Sequence, residues 1–201
     1  MQVDSSRMTR PVLVVIGPSA SGKSTAVREL HRRGVLHVHP TWTTRARRTD
    51  EAEGALEHRF VTDEMFDELE ATGFFLGTVQ LPGLPARYAF PRPTLTADGP
   101  LDTIMARAPF VELFAEYFPH RLVYQIEDTA ERARDRLVAR GSDAYEIEAR
   151  LAGHDAEVAH GRTIAQRVFT NDGDLDALVD AIAAALRTDL MVLPSIGVAQ
   201  P

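Results

Sequence analysis

A short β-branched run, Val12-Leu-Val-Val-Ile16, passes without a polar break into Gly17-Pro-Ser-Ala-Ser-Gly-Lys-Ser24. The octet satisfies G-x-x-x-x-G-K-[ST], and no other stretch constrains the fold as tightly. Such a loop works at the carboxyl end of a buried parallel strand that turns directly into a helix. There the free N–H groups of the helix N-terminus converge on one point. Both flanks are present: residues 24–33 carry Val27 and Leu30 on one face and stop at Gly34. Gly17 and Gly22 remove side chains that would block a phosphate and permit unusual dihedrals. Lys23 can reach β- and γ-phosphates, and the Ser24 hydroxyl can bind Mg²⁺. Gly17, Pro18, Ser19, Ala20, Ser21, Gly22, Lys23, Ser24 and Thr25 are therefore expected to form an ATP cradle. Lys23 is its catalytic cation and Ser24 its metal contact.

Composition sharpens this reading. The 201 residues suffice for one domain with its own core. Arginine outnumbers lysine 21 to one, and that one lysine is Lys23. A guanine-reading N-K-x-D turn, as a GTPase would carry, is therefore impossible. With no Cys, disulfide scaffolds, thiolate zinc sites and cysteine nucleophiles are excluded. Residues 1–50 are net +6 and the remainder net −13. That pattern suits a local anion site on an acidic molecule rather than a nucleic-acid surface. No stretch approaches the length of a membrane-spanning helix, and residues 1–10 lack the apolar core of a secretory signal. A soluble, cytoplasmic protein without membrane or nucleic-acid partners is expected, as a monomer or homodimer.

The rest of the chain alternates between strand and helix signals. Strands are expected at 35–39, 58–61, 101–106, 121–126 and 167–170. Thr62 should cap a helix over 63–71 with Met65, Phe66 and Leu69 inward. Residues 109–118 fit a helix. Asp128-Thr-Ala-Glu131 resembles a capping box for a helix reaching Arg140, with Ala133, Leu137 and Val138 inward. Asp143-Ala-Tyr-Glu146 is a second box, and 175–186 a final amphipathic helix. Residues 41–54 read as loop, and the proline-rich stretch 81–100 as loop or edge structure. The alternation predicts an α/β fold, a three-layer sandwich around a parallel sheet. It breaks at about 40–95, the natural place for an inserted lobe. Residues 1–10 and 189–201 read as flexible tails.

No standard acidic strand end for metal binding is evident. Asp102 sits near the start of its strand, away from the loop, and the capping box accounts for Asp128. His37 and His39 alternate on one strand, but no further ligand is evident, so no zinc site is expected. Trp42 is expected to pack rather than stack on a base. Two arginine groups, Arg45, Arg47 and Arg48 after the second strand, and Arg136, Arg140 and Arg150 around a glycine break, suit phosphoryl transfer to a bound acceptor.

On these residues the chain resembles the guanylate kinase family across 11–187. The family's G-P-S-G-S-G-K-[ST] appears as Gly17 to Ser24. Its S-x-T-T-R-x-P-R-x-G-E looks like Thr41-Trp-Thr-Thr-Arg-Ala-Arg-Arg-Thr-Asp-Glu51, and its R-L-x-x-R-G-[TS] like Arg136-Leu-Val-Ala-Arg-Gly-Ser142. The resemblance implies a P-loop NTPase core (11–40 and 96–187), an acceptor-binding lobe at 41–95 and a helical lid at about 140–160. It implies that Arg45 and Arg48 grip the acceptor phosphate with Thr41, His58 and Tyr88 nearby. Arg140 and Arg150, catalytic with Lys23 and Arg48, would close over the ATP phosphates. Asn171, in Phe169-Thr-Asn-Asp172, would contact adenine. ATP and Mg²⁺ are the implied cofactors, and a small phosphorylated molecule such as GMP the acceptor.

The departures fall on the guanine pocket. Gly77 stands where the family has a guanine-reading acid, Ala89-Phe90 follows Tyr88 where a hydroxyl belongs, His58 replaces a tyrosine, and Met105-Ala-Arg-Ala108 replaces an acidic D-x-x-G loop. The bacterial ribose 1,5-bisphosphate phosphokinases are similar in lacking that acid, with Glu57-His58 and Ala106-Arg107 matching theirs. They make phosphoribosyl diphosphate. Guanylate-kinase-like domains also serve as non-catalytic platforms, but those typically lose P-loop residues that are intact here.

Overall fold

The computed structural model describes residues 10–47, 51, 56–81, 83–96 and 98–192. The chain runs β1 (Leu13–Ile16), α1 (Lys23–Arg32), β2 (Leu36–His39), β3 (Thr41–Thr43), β4 (His58–Phe60), α2 (Asp63–Ala71), β5 (Phe75–Gln80), β6 (Arg87–Pro91) and β7 (Leu101–Met105). A 3-10 helix (Ala108–Phe114) follows, then β8 (Leu122–Glu127), α3 (Ala130–Ala139), α4 (Ala144–Leu151), α5 (His154–Ile164), β9 (Arg167–Thr170) and α6 (Leu175–Val192).

β1 is buried at every position because both faces of its sheet are covered. Leu13 and Val15 pack with Val27 and Leu30 of α1 and with Leu178, Val179, Ile182 and Leu186 of α6. Val14 and Ile16 face the other way, onto Val111, Phe114 and Phe118. The sheet is parallel throughout, in the order β2-β7-β1-β8-β9. β1 is its central strand, so the loop after it emerges at the middle of the carboxyl edge. This is the expected three-layer α/β architecture.

A second sheet, β4-β3-β6-β5, is built from the segment between β2 and β7. Its own small core holds Phe66, Phe75 and Ala89, with Trp42, Val61 and Leu69 against them. Trp42 meets Phe74 and Phe75 edge-on at 5.2 and 6.1 Å, as a packing residue.

Several local expectations need correction. Thr41–Thr43, within the stretch expected to be loop, forms β3 by pairing with β4 and β6. β6 lies inside the second sheet rather than at its edge; Pro91 is tolerated because it closes the strand where the β5 register shifts. The stretch 109–118, expected to be one helix, enters the 3-10 helix Ala108–Phe114, whose Ala108, Val111 and Phe114 recur every third residue and are all buried, and then turns at 115–117. Met65 and Val138, expected inward, are exposed. Thr129, not Asp128, caps α3, its side chain accepting from Arg132 N. The last helix continues to Val192, so Asp189 is not in a tail. Its carboxylate accepts from the buried Tyr124 hydroxyl at 2.7 Å and pairs with Arg167 at 2.5 Å, tying α6 to β8 and β9. The remainder of both expected tails, 1–9 and 193–201, lies outside the described residues. No helix among the described residues is long and apolar enough to cross a membrane.

Candidate functional site

Helix α1 begins at Lys23 with Gly22 as its N-cap in the left-handed region (φ 97°). Gly17 sits at φ 146°. A Cβ on Gly17 would lie 2.0 Å from the Ile126 carbonyl oxygen, and one on Gly22 2.2 Å from Asn171 Nδ2. Both glycines are thus required by close approach as well as by dihedral. Ala20, at the loop's apex, is also left-handed (φ 61°). Its carbonyl accepts from the Arg136 guanidinium at 2.8 Å, and Arg136 pairs with the buried Asp128 at 2.6 Å. Asn171 Nδ2 donates to the Ser21 carbonyl at 2.9 Å. The loop is therefore braced from α3 and from the turn after β9. Because both ends of the Asn171 amide are engaged, Oδ1 accepting from Gly173 N, its observed work is to hold the loop.

Lys23 is half-buried and donates to its own loop carbonyls, Gly17 at 2.6 Å and Pro18 at 2.7 Å. Burial lowers its pKa to about 8. The Glu157 charge opposes that shift, while Arg107 and Arg140 add to it.

A cleft of about 160 Å³, open to solvent, separates this loop from the second sheet. Ser19, Ala20, Lys23 and Ser24 line one side, and Thr41, Arg45, His58 and Tyr88 the other. Arg107 lies in the floor, and Arg140 and Arg150 reach in from α3 and α4. Five cationic side chains from five separate segments therefore meet there. No carboxylate lines the cleft among the described residues.

Acids behind the wall orient most of these cations. Arg45 is almost fully buried and bidentate on Glu51, with one contact of 2.7 Å, and its guanidinium lies 5.0 Å from the Phe60 ring centre. Arg150 is buried and donates to Glu146 at 2.7 Å. Arg107 donates from Nε, at 2.7 Å, and from Nη2 to the same oxygen, Oε2, of the buried Glu157. The Arg140 guanidinium has no hydrogen-bond or ion-pair partner among the described residues; its backbone N–H closes the end of α3. Thr41 Oγ1 and His58 Nδ1 are 2.6 Å apart, and the His58 and Tyr88 rings stand 6.2 Å apart.

The expected site residues thus fall into three groups. Ser19, Ala20, Lys23, Ser24, Thr41, Arg45, His58, Tyr88, Arg140 and Arg150 share the cleft. Gly17, Pro18, Ser21, Gly22, Thr25 and Asn171 build or brace the loop rather than line the opening. Arg48 lies outside the described residues. Sequence reasoning did not find the Asp128–Arg136 brace or the Arg107–Glu157 pair. The first carried a faint signal, an acid at a strand end eight residues before an arginine of α3. Glu157, fifty residues from Arg107, carried none.

No family model matches the chain. The guanylate kinase of Symbiobacterium thermophilum is 30% identical over 89% of this chain and 85% of its own length. That of Streptomyces kasugaensis is 35% identical over 75% of each. The chain belongs to the guanylate kinase family. The crystal structure of guanylate kinase from Anaplasma phagocytophilum superimposes with a TM-score of 0.69 at 25% identity, covering 90% of this chain and 87% of that one. A ribose 1,5-bisphosphate phosphokinase from Pseudomonas paraeruginosa is 32% identical over 90% of this chain and 98% of its own.

Part of the cleft lining is apolar. Val79, Leu81, Phe90, Met105 and Phe110 form that part. A side chain at Gly77 would start 3.1 Å from Leu113 of the 3-10 helix, so a carboxylate there could enter only if Leu113 moved. Ala89 is fully buried in the core of the second sheet.

Proposed function

We propose that this chain is an ATP-dependent kinase that phosphorylates the phosphate group of a small acceptor, a nucleoside monophosphate such as GMP. The carrying observation is the convergence of Lys23, Arg45, Arg107, Arg140 and Arg150 on one carboxylate-free cleft. Phosphoryl transfer asks little covalent chemistry of a protein and a great deal of positioned positive charge. An oxygen of the acceptor phosphate attacks the γ-phosphorus, the bond to the β–γ bridging oxygen breaks, and ADP leaves. The acceptor oxygen is already anionic, so no side-chain base is needed.

Lys23 leaves its own carbonyls to hold the β- and γ-phosphates. The loop suits a triphosphate, since Gly17 and Gly22 approach the Ile126 carbonyl and Asn171 too closely for a side chain and α1 begins beside them with no side chain capping its N-terminus. Arg140, whose guanidinium has no partner among the described residues, and Arg150 meet the transferring group as the α4–α5 lid closes, while Arg45, with Arg48, holds the acceptor in the lobe built on the second sheet. Mg²⁺, contacted from the protein side by Ser24, would supply charge neutralisation on the phosphates. A cytoplasmic monomer or homodimer fits this role, because its substrates are small and soluble.

The Lys23 environment sets a pH dependence. In the empty loop its pKa is about 8, well below that of an exposed lysine. Polyphosphate favours the protonated amine, so binding above that pH must take up a proton. ATP affinity is expected to fall as pH rises through 8 to 10, by up to about tenfold per pH unit. Calorimetry in buffers of different ionisation enthalpy should register proton uptake near pH 8.5. A flat affinity profile would contradict the assignment.

The substrate test is ADP formation from ATP with GMP, AMP or ribose 1,5-bisphosphate as acceptor. Turnover with GMP or AMP supports the leading reading. Turnover with only the bisphosphate supports a second one, favoured by Arg107 as an added cation and by the missing guanine-reading groups. ATP binding with no acceptor-dependent ADP would defeat both.

A further inference from the structure

Two histidines that the cleft does not use acquire a third companion in the folded chain. β2 and β7 pair in parallel with His37 opposite Asp102 and His39 opposite Ile104. This register puts both imidazoles beside one carboxylate. His37 Nδ1 lies 3.0 Å and His39 Nε2 2.8 Å from Asp102 Oδ1. The three donor atoms all fall within 4.8 Å of one another. The other carboxylate oxygen, Oδ2, accepts from Thr96 N at 2.8 Å and Thr96 Oγ1 at 3.1 Å. Asp102 is buried, His39 nearly so, and the His37 side chain is 44% exposed, which leaves one side of the group open to water. None of these three residues lines the cleft.

We propose that His37, His39 and Asp102 form a divalent transition-metal site, with Zn²⁺ the best-matched ion. Two imidazoles and a carboxylate with one open position are the donor set of a four-coordinate zinc centre. The edges of such a tetrahedron are about 3.3 Å, so the two His-to-Asp separations need to open by a few tenths of an ångström, while the two histidine nitrogens, within 4.8 Å of each other, draw together by rotation of the half-exposed His37 ring. At present both ring nitrogens point their hydrogens at Oδ1. On metal binding each ring carries its hydrogen on the other nitrogen and presents a lone pair, the ion replacing the two protons. Thr96 supplies the outer hydrogen bonds that hold a ligating carboxylate in place.

The location gives the site a consequence. His39 is followed by Pro40 and then Thr41, where the second sheet begins and the cleft wall starts. Thr96 lies on the return path, between β6 and β7. The cluster therefore joins the outgoing and returning connections of the second sheet, and a bound ion would pin the base of that lobe to the parallel sheet.

The test is titration of chelator-treated, nucleotide-free protein with Co²⁺, read by visible absorption. The expected result is the intense d–d absorption of cobalt held by fewer than six ligands, saturating at one equivalent, displaced by Zn²⁺ and unmoved by Mg²⁺. His37→Ala changes a half-exposed side chain, leaves the fold intact, and should weaken cobalt binding at least about 10–100-fold. Zn²⁺ should raise the melting temperature of the parent protein but not of that variant. Absence of a saturable band, or a band that persists undiminished in both His37→Ala and His39→Ala, would overturn the assignment.

Discussion

Lys23→Ala is expected to lower kcat by about 10²–10³-fold, the scale associated with losing one charged donor to a transition state. Lys23 is the only primary-amine side chain in the protein, so no neighbouring lysine can substitute. Arg140 and Arg150 line the same cleft from α3 and α4, but each is a planar guanidinium on a separate segment. The variant should fold normally. Removing Lys23 relieves a half-buried charge and leaves the Gly17 and Pro18 carbonyls to water entering an open cleft. Far-UV circular dichroism and a denaturant midpoint close to the parent's would establish this, and steady-state ADP formation with the preferred acceptor would measure the loss. Activity within fivefold of the parent's would remove Lys23 from the chemistry and undermine the proposed mechanism.

Gly161→Ala should destabilise the fold by about 3 kcal/mol, the upper end of what overpacking a closely fitted core costs. Gly161 lies where α5 crosses β8. A methyl group there would begin 1.6 Å from Gln125 Oε1, 2.8 Å from its amide carbon and 3.3 Å from Ile16 Cδ1. Gln125 cannot swing aside cheaply. It is fully buried, and its Nε2 donates to Glu127 at 2.8 Å and to the Val158 carbonyl at 3.1 Å. Glu127 is in turn held by Arg162 at 2.6 Å. The strain therefore falls on the packing of α5, which also carries Glu157, the partner of Arg107. Urea unfolding should show a lower midpoint with an unchanged slope. A parental midpoint would mean that α5 sits farther from β8 than these contacts require.

Much of this architecture could be read from the chain because its signals were local. The apolar run at 12–16, the fixed positions of the phosphate loop and the Thr62 and Asp143 caps each sit within a few residues of what they specify. The short strands of the second sheet were harder. Three residues, Thr41–Thr43, carry no periodicity, and their pairing with Arg59 and Tyr88 is dictated by segments far along the chain. The candidate site divides in the same way. Lys23, Arg45, Arg140 and Arg150 stood in recognisable patterns, and they meet in the cleft. Arg107 with Glu157, Arg136 with Asp128, and the convergence of His37 and His39 on Asp102 depend on strand register and helix crossing. Such pairs become visible only when the chain is folded. Asp128 is instructive: a cap was the local expectation, yet Thr129 fulfils it and frees the carboxylate to hold Arg136.

The carbonyls of Ala20 and Ser21 are turned inward, onto Arg136 and Asn171. Fixing them this way during folding leaves little backbone entropy to be lost when an anion arrives. Association at this loop should accordingly be fast and nearly rigid-body on the protein's side, with slower rearrangement confined to the segments that carry Arg140, Arg150 and the acceptor.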